Sequence, residues 1–260
     1  MSTNRPEVLK VLSYNIHKGF DFFGRNFVID EMREAIHDVH ADIVFLQEVQ
    51  EHHDRRFEVN DGALRSKLEF LADSLWPHFA YGKNAVYTRG HHGNAILSKY
   101  PFSFWENIDV TTHSLQRRGI LHGIIEIDSA QPLHLICLHF DLFERGREKQ
   151  LAHLCRHIQE KIPSDAPLLV VGDFNDWRGS ATHHLEKELD LREVFQATQG
   201  HHVGTFPSWF PILRLDRIYY RGLQCLEGRK LHGPPWSRLS DHVALYAEVI
   251  LEDKILTKAL

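Results

Sequence analysis

At 260 residues the chain fits one large domain or two small ones, and its 43% hydrophobic and 25% charged residues are ordinary for a soluble globular protein. A net charge of −5 excludes a chain-wide electrostatic grip on nucleic acid and leaves a local basic groove as the route to such a partner. Three widely spaced cysteines, Cys137, Cys155 and Cys225, give neither a disulfide framework nor a zinc pattern, so reduced core thiols are expected.

In chain order, Met1–Glu7 lacks the apolar stretch of a secretory signal, and no apolar run is long enough to span a bilayer, so a cytoplasmic protein is expected. Val8–Tyr14 reads as a buried strand. Ile29, Met32, Ile36 and Val39 mark one face of a helix, and Asp42–Leu46 follows as a short strand. Leu64, Leu68, Leu71 and Leu75 define a second amphipathic helix stopped by Pro77. Strands are then expected at Phe79–Val86, Asn94–Leu97, Phe104–Val110 and Gly119–Ile127, separated by Gly, Pro and polar clusters. Leu133–His139 leads into a helix carrying Leu151, Leu154 and Ile158, and Leu168–Val171 is a near-continuous apolar run of the kind covered on both faces. Further strands are expected at Leu215–Tyr220 and His242–Ile250. With no linker-like segment, the pattern predicts one domain over residues 1–260, with 1–7 and 252–260 as flexible ends. Its fold class is α/β (α+β), two mixed sheets packed face to face with helices outside. The histidine pairs His52-His53, His91-His92, His183-His184 and His201-His202 read as solvated positions, because the partner spacings of a metal site are absent.

Two segments repeat one plan. Val8–Glu48 and Leu133–Asn175 each read strand, helix, strand, with a polar residue at the end of both strands: Asn15 and Glu48 in the first, His139 and Asp173 in the second. The spacings are 33 and 34 residues. Open α/β sheets bind ligands beyond the carboxyl ends of their strands, so four residues able to build one site stand where a site would be. Glu48 supplies a carboxylate of the kind a magnesium ion takes in ones and twos, although alone it reads more readily as an exposed loop Glu. In Gly172-Asp173-Phe174-Asn175, Asp173 and Asn175 can converge on one pocket, the acid aligning or deprotonating a water and the amide facing an oxyanion; an Asx turn is the plain alternative. In Ser240-Asp241-His242 the adjacent acid cannot readily hold the imidazole. His242 therefore needs another carboxylate, for which Asp216, 26 residues upstream, is the natural candidate, and Asp241 is left to face a metal or a water.

Taken together, Ser13-Tyr14-Asn15-Ile16, Leu46-Gln47-Glu48-Val49, Gly93-Asn94-Ala95-Ile96-Leu97-Ser98, Leu138-His139-Phe140, Gly172-Asp173-Phe174-Asn175, Leu215-Asp216-Arg217-Ile218 and Ser240-Asp241-His242 resemble the endonuclease/exonuclease/phosphatase superfamily, whose fold is that of deoxyribonuclease I. The segments occur in the family's order and cover nearly the whole chain. The resemblance implies a four-layer α/β sandwich and magnesium-dependent (or manganese-dependent) cleavage of a phosphoester. It implies Glu48 as the principal metal ligand with Asn15 beside it and Asp241 near the metal or its water. It further implies Asp173 on the attacking water, Asn175 on the phosphate, His242 on the scissile phosphate with Asp216 behind it, and His139 as a second phosphate contact. Asn94 and Arg118 are implied as substrate-binding. The choice of base between Asp173 and His242 stays open. Arg145-Gly-Arg147-Glu-Lys149 reads either as a substrate rim or as a helix's solvent face.

The segment typical of inositol-polyphosphate phosphatases is missing around Asp216, and the lysine that follows the Leu-Gln-Glu motif in apurinic endonucleases is replaced by Val49-Gln50-Glu51. The chain looks most like a little-characterised bacterial group. A nuclease-type phosphodiesterase acting on DNA or RNA is the leading expectation, with the protein a monomer. The second is a phosphodiesterase for a phospholipid headgroup or small phosphoester, similar to a sphingomyelinase, with Phe20, Phe22, Phe23 and Trp209-Phe210 as apolar rims making peripheral lipid contact. A non-catalytic binding module on the same fold is the third.

Overall fold

Two six-stranded sheets lie face to face in the computed structural model, which describes residues 8–52, 57–58, 64–87, 90–113, 116–127 and 131–251. The elements in order are β1 (Val8–Asn15), α1 (Ile29–Asp38), β2 (Ile43–His52), β3 (Phe57–Glu58), β4 (Leu64–Arg65), α2 (Lys67–Ala72), β5 (His78–Tyr87), β6 (Gly90–Ser98), β7 (Phe102–Asp109), β8 (Gly119–Ile125), β9 (Leu133–His139), α3 (Glu144–Lys161), β10 (Leu168–Asp173), α4 (Ser180–Leu189), β11 (Arg192–Glu193), α5 (Val194–Gln199), β12 (Asp216–Arg221), β13 (Leu223–Leu231), α6 (Trp236–Leu239) and β14 (Ala244–Leu251). The first sheet runs β13-β14-β1-β2-β6-β5 and the second β11-β12-β10-β9-β8-β7; β3 and β4 form a separate ribbon. The expected flexible ends, 1–7 and 252–260, lie outside the described residues, as does His53.

The two strand–helix–strand units sit at matching places. β1 pairs parallel with β2, and β9 parallel with β10, while the other neighbours in both sheets are antiparallel. Each parallel pair is buried on both faces, which is why its sequence is apolar without alternation. Leu9, Val11, Ile43 and Phe45 point into the space between the sheets, against Leu135, Leu169, Val171 and Ile218. Leu12, Tyr14 and Val44 face the other way, under Met32 and Ile36 of α1 and Leu71 of α2. On the far side Ile136, Leu138 and Val170 lie under Leu154 and Ile158 of α3 and Leu185 of α4. The layers are thus helix, sheet, sheet, helix. Each such aliphatic side chain contributes about 1.5–3 kcal/mol when it leaves water.

Three sequence expectations need correction. The helix expected from Leu64 begins at Lys67, because Ser66 accepts from Glu69 N and Glu69 reaches back to Ser66 N, a capping box that sets the start. Strand β2 runs on to His52, past a break in register between Leu46 and Val49. Finally, the structure adds α4, α5, β11 and β13, which the sequence pattern does not predict. β13 is an edge strand whose side chains alternate weakly between buried and exposed, so it lacks the apolar run that marks the inner strands.

Candidate active site

The two parallel pairs present their carboxyl ends at one place. In β1–β2, Asn15 stands opposite Gln47; in β9–β10, His139 stands opposite Asp173, and Asp173 in turn faces Asp216 at the start of β12. Gln47 and Glu48 fall in the interrupted register of β2 against β6, and Glu48 has φ 56°. A bulge of this kind re-aims a side chain that regular pairing would alternate away. Asn175, at φ 49°, is the matching departure after β10. Gly172 is required where it stands: its φ is 145°, and a Cβ there would run into the Leu138 carbonyl oxygen.

Asp173 is the hub. Its Oδ2 lies 3.2 Å from Asn15 Nδ2, 3.4 Å from His139 Nε2 and 3.8 Å from His242 Nε2, while Oδ1 accepts from the Asn175 backbone N–H at 2.9 Å. On the far side of its ring, His242 Nδ1 lies 2.8 Å from Asp216 Oδ2. The Ser240 hydroxyl accepts from His242 N and donates to the Asn15 carbonyl, tying the C-terminal loop to β1. Asn175 Nδ2 donates to the Phe140 carbonyl at 3.0 Å.

Burial sets the protonation states. It pushes the Asp173 carboxyl up, and the neighbouring Asp216 charge adds to that. Burial would lower His242, but the contact with Asp216, helped by Asp173 and Asp241, outweighs it and holds the imidazole protonated. His139 is held well below the ordinary histidine range by burial first and then by the Arg118 charge. One ring is therefore cationic, the other neutral, and an acid of raised pKa sits between them.

Across the cleft, Glu48 Oε2 is buried without a hydrogen-bond partner, and the nearest cation, Lys18 Nζ, stands at 3.8 Å, an ion-pair distance only. Asp241 is a quarter exposed and lies 3.7 Å from His17 Nδ1. Asn15 Oδ1 accepts from His17 N at 3.1 Å and keeps a second lone pair. A buried carboxylate oxygen without a hydrogen-bond partner is the kind of hard donor that a divalent cation such as magnesium takes. Asp173, Asp216 and His242 also place ligand atoms within 4.8 Å of one another; there His242 Nδ1 already engages Asp216 Oδ2, while Asp216 Oδ1 is buried without a hydrogen-bond partner.

Arg118 and Asn94 take different places. Arg118 precedes β8, and its charge acts on both His139 and Asp173. Asn94 instead bridges the sheets, Nδ2 donating to the Gly119 and Cys137 carbonyls. Of the basic run in α3, Arg145 is exposed, whereas Arg147 is buried, donating to the Leu142 carbonyl with its guanidinium over the Trp177 ring. The sequence pattern assigns no role to His17, Lys18 or Ser240; His17 and Lys18 follow Asn15 closely, and that proximity is the available signal. Of the aromatic rim, Phe22 and Phe23 pack at 4.8 Å and Phe22 meets Trp209 at 6.5 Å. Phe23, Trp209 and Phe210 are exposed, and the Phe206 ring lies 5.1 Å from that of His242. Of the paired histidines, His183, His184 and His201 are exposed as expected, whereas His91 and His202 are half-buried against Tyr81 and Glu193.

Residues 12–242 match the model of the Endonuclease/Exonuclease/phosphatase family. The chain belongs to that family. It is 45% identical over 244 residues to YbhP of Escherichia coli (strain K12), a protein described as uncharacterized, covering 93% of this chain and 96% of YbhP. Solved structures share the fold at lower identity. An endonuclease/exonuclease/phosphatase from Beutenbergia cavernae superposes with a TM-score of 0.78 at 16% identity, over 95% of this chain and 72% of that one. TDP2 from D. rerio, in complex with a single-strand DNA product, gives 0.69 at 18% identity, over 94% and 99%. Among the described residues no helix is long and apolar enough to cross a membrane.

Proposed function

We propose that this family member is a magnesium-dependent phosphodiesterase of the endonuclease type, hydrolysing a P–O bond by in-line attack of water. The observation that carries the reading is the Asp173 hub, flanked by one protonated and one neutral imidazole and bonded to Asn15, whose strand pairs with the one carrying the unpartnered Glu48 oxygen. Glu48, Asn15 and Asp241 would hold the cation, whose chemistry is to offset phosphate charge; manganese could take the same oxygens.

The chain's own groups divide the remaining work. With His242 already protonated through Asp216, Asp173 is the acceptor of the water proton; its raised pKa brings it towards the working range of a general base. The His242 Nε2–H and the neutral His139 ring donate to phosphate oxygens, and Arg118 adds charge from the rim. Asn175 fixes Asp173 through its backbone N–H. Asn94 sets the wall of the cleft and reaches substrate only through what it positions.

The DNA complex of a fold neighbour and the site chemistry support a nucleic acid, DNA or RNA, as substrate. A second reading, a phospholipid headgroup or small apolar phosphoester, is favoured by a cavity of about 1190 Å³ lined by Phe22, Phe23, Trp209 and Leu239. The free thiols Cys137, Cys155 and Cys225 suit a reducing compartment, and a cytoplasmic monomer completes the proposal.

The test is to incubate purified protein and magnesium with plasmid, abasic oligonucleotide, bis-(p-nitrophenyl) phosphate and phospholipid vesicles, with Glu48→Gln as control. Nicking of plasmid that is lost in Glu48→Gln is expected. Turnover of lipid alone supports the second reading, and inactivity on every substrate with no magnesium-dependent thermal shift overturns both in favour of a binding module.

A further inference from the structure

A second cluster of metal-type donors lies away from the cleft, on the outer face of the second sheet. In β8, Leu121 and Ile125 enter the core between the sheets, so His122 points outward, and in β9 His134 does the same between Leu133 and Leu135. Edge strand β7 brings Glu106 opposite His122, and α3 lays His157 over them. His134 stands five residues before His139, about 16 Å along the strand and on its other face.

Three imidazoles form a chain: His157 Nε2 lies 3.0 Å from His122 Nδ1, and His122 Nε2 lies 3.0 Å from His134 Nδ1. Glu106, His122 and His157 each place a ligand atom within 4.8 Å of the other two. Tetrahedral zinc ligands stand about 3.4 Å apart, so the gap closes with rotamer adjustments at the two half-buried members, Glu106 and His157. Among the described residues the Glu106 carboxylate has no hydrogen bond, and burial keeps all three rings below their ordinary pKa. A carboxylate without a hydrogen bond thus stands beside two rings whose facing nitrogens, His157 Nε2 and His122 Nδ1, bond only each other and would turn to the ion.

We propose that Glu106, His122 and His157 form a binding site for a divalent transition metal ion such as zinc, separate from the magnesium site, with His134 as the residue that orients His122. With the metal on His122 Nδ1 and His157 Nε2, the remaining His122 Nε2–H donates to His134 Nδ1, which fixes the tautomer the metal needs. Two imidazoles and one carboxylate leave a fourth position for water or a substrate atom. The ion would pin edge strand β7 and β8 to α3.

Cobalt is the spectroscopic probe, titrated into chelator-stripped protein in excess magnesium so that the cleft's oxygen donors are already filled. One equivalent of cobalt with a visible ligand-field band is expected, displaced by zinc. His157→Ala and Glu106→Gln should each abolish the band, and His134→Gln should weaken zinc binding about 10–100-fold with the stoichiometry kept. His157 sits on the half-exposed flank of α3, and His157→Gln with a far-UV circular dichroism spectrum guards against loss of fold. Absence of cobalt uptake, or uptake and band unchanged in a folded His157→Ala or His157→Gln protein, overturns the proposal.

Discussion

Asp173 draws its character from what surrounds it rather than from its own chemistry. Asn15 Nδ2 donates to Oδ2, the His139 and His242 rings stand at 3.4 and 3.8 Å from it, and a backbone N–H holds Oδ1, so the carboxylate is fixed in direction and made basic by burial. Asp173→Asn keeps the shape and the backbone acceptor but cannot take a proton; turnover of bis-(p-nitrophenyl) phosphate should fall about 10²–10⁴-fold with the fold intact. A loss below tenfold would remove Asp173 as the base. The neighbouring acid, Asp176, is structural. It accepts from Gly179 N, Ala181 N and the Ser180 hydroxyl at the start of α4 and lies 3.4 Å from buried Arg217, and these contacts outweigh burial to lower its pKa. A carboxylate lowered on folding stabilises fully above its ordinary 3.8 and loses that stability as pH falls through the folded value. Asp176→Ala should therefore cost about 3–5 kcal/mol at neutral pH, since it strands the Arg217 charge, and flatten the acid limb of the stability curve below pH 3.8. Urea titrations across the acid range measure both. The partnership of His242 with Asp216 was legible in sequence because an adjacent acid could not supply it. The unpartnered oxygen of Glu48 was not, since it depends on which neighbours the bulge leaves out of reach.

Elements carry the site by ending where they do. β9 was legible to the residue, whereas β10 runs two residues past the expected Val171 to Asp173, and the near-equal spacing of the two units marked them as parallel pairs. The extension of β2 beyond Glu48 was hidden, as Gln47–His52 is polar and reads as loop although it pairs with β6. The histidine cluster under α3 was equally hidden, because its members come from three elements at spacings that match no local motif. Gly172 tests how tightly β9 and β10 are coupled. Gly172→Ala adds a Cβ against the Leu138 carbonyl at a φ that side chains rarely adopt, so a loss of about 1–3 kcal/mol is expected in chemical denaturation. Turnover should fall with it, because His139 and Asp173 flank the point of strain. Unchanged stability and turnover would mean that the strand ends adjust independently.

At the scale of the molecule, the cleft exists only while the two sheets are pressed together. Asn15 and Glu48, proposed to hold the cation, belong to the first sheet, whereas His139, Asp173 and Asp216 belong to the second, and His242 arrives from the loop that enters β14. No disulfide joins the halves, since Cys137, Cys155 and Cys225 are free; Leu9, Val11, Ile43 and Phe45 meet Leu135, Leu169 and Val171 in one apolar layer. Hydrophobic attraction is non-directional, so registry between the halves of the site must come from the shape of that layer and from cross-sheet bonds such as Asn94 to Cys137 and Asn15 to Asp173. The described residues should then unfold as one cooperative unit. Leu135→Ala removes side-chain volume from the shared layer and should cost about 2–5 kcal/mol. Hydrogen exchange reads the consequence: amides of β1 and β2 should lose protection together with those of β9 and β10, although the substitution lies in only one sheet. Loss of protection confined to β9 and β10 would show two separately stable halves, and the site would then be an interface between them rather than a feature of one core.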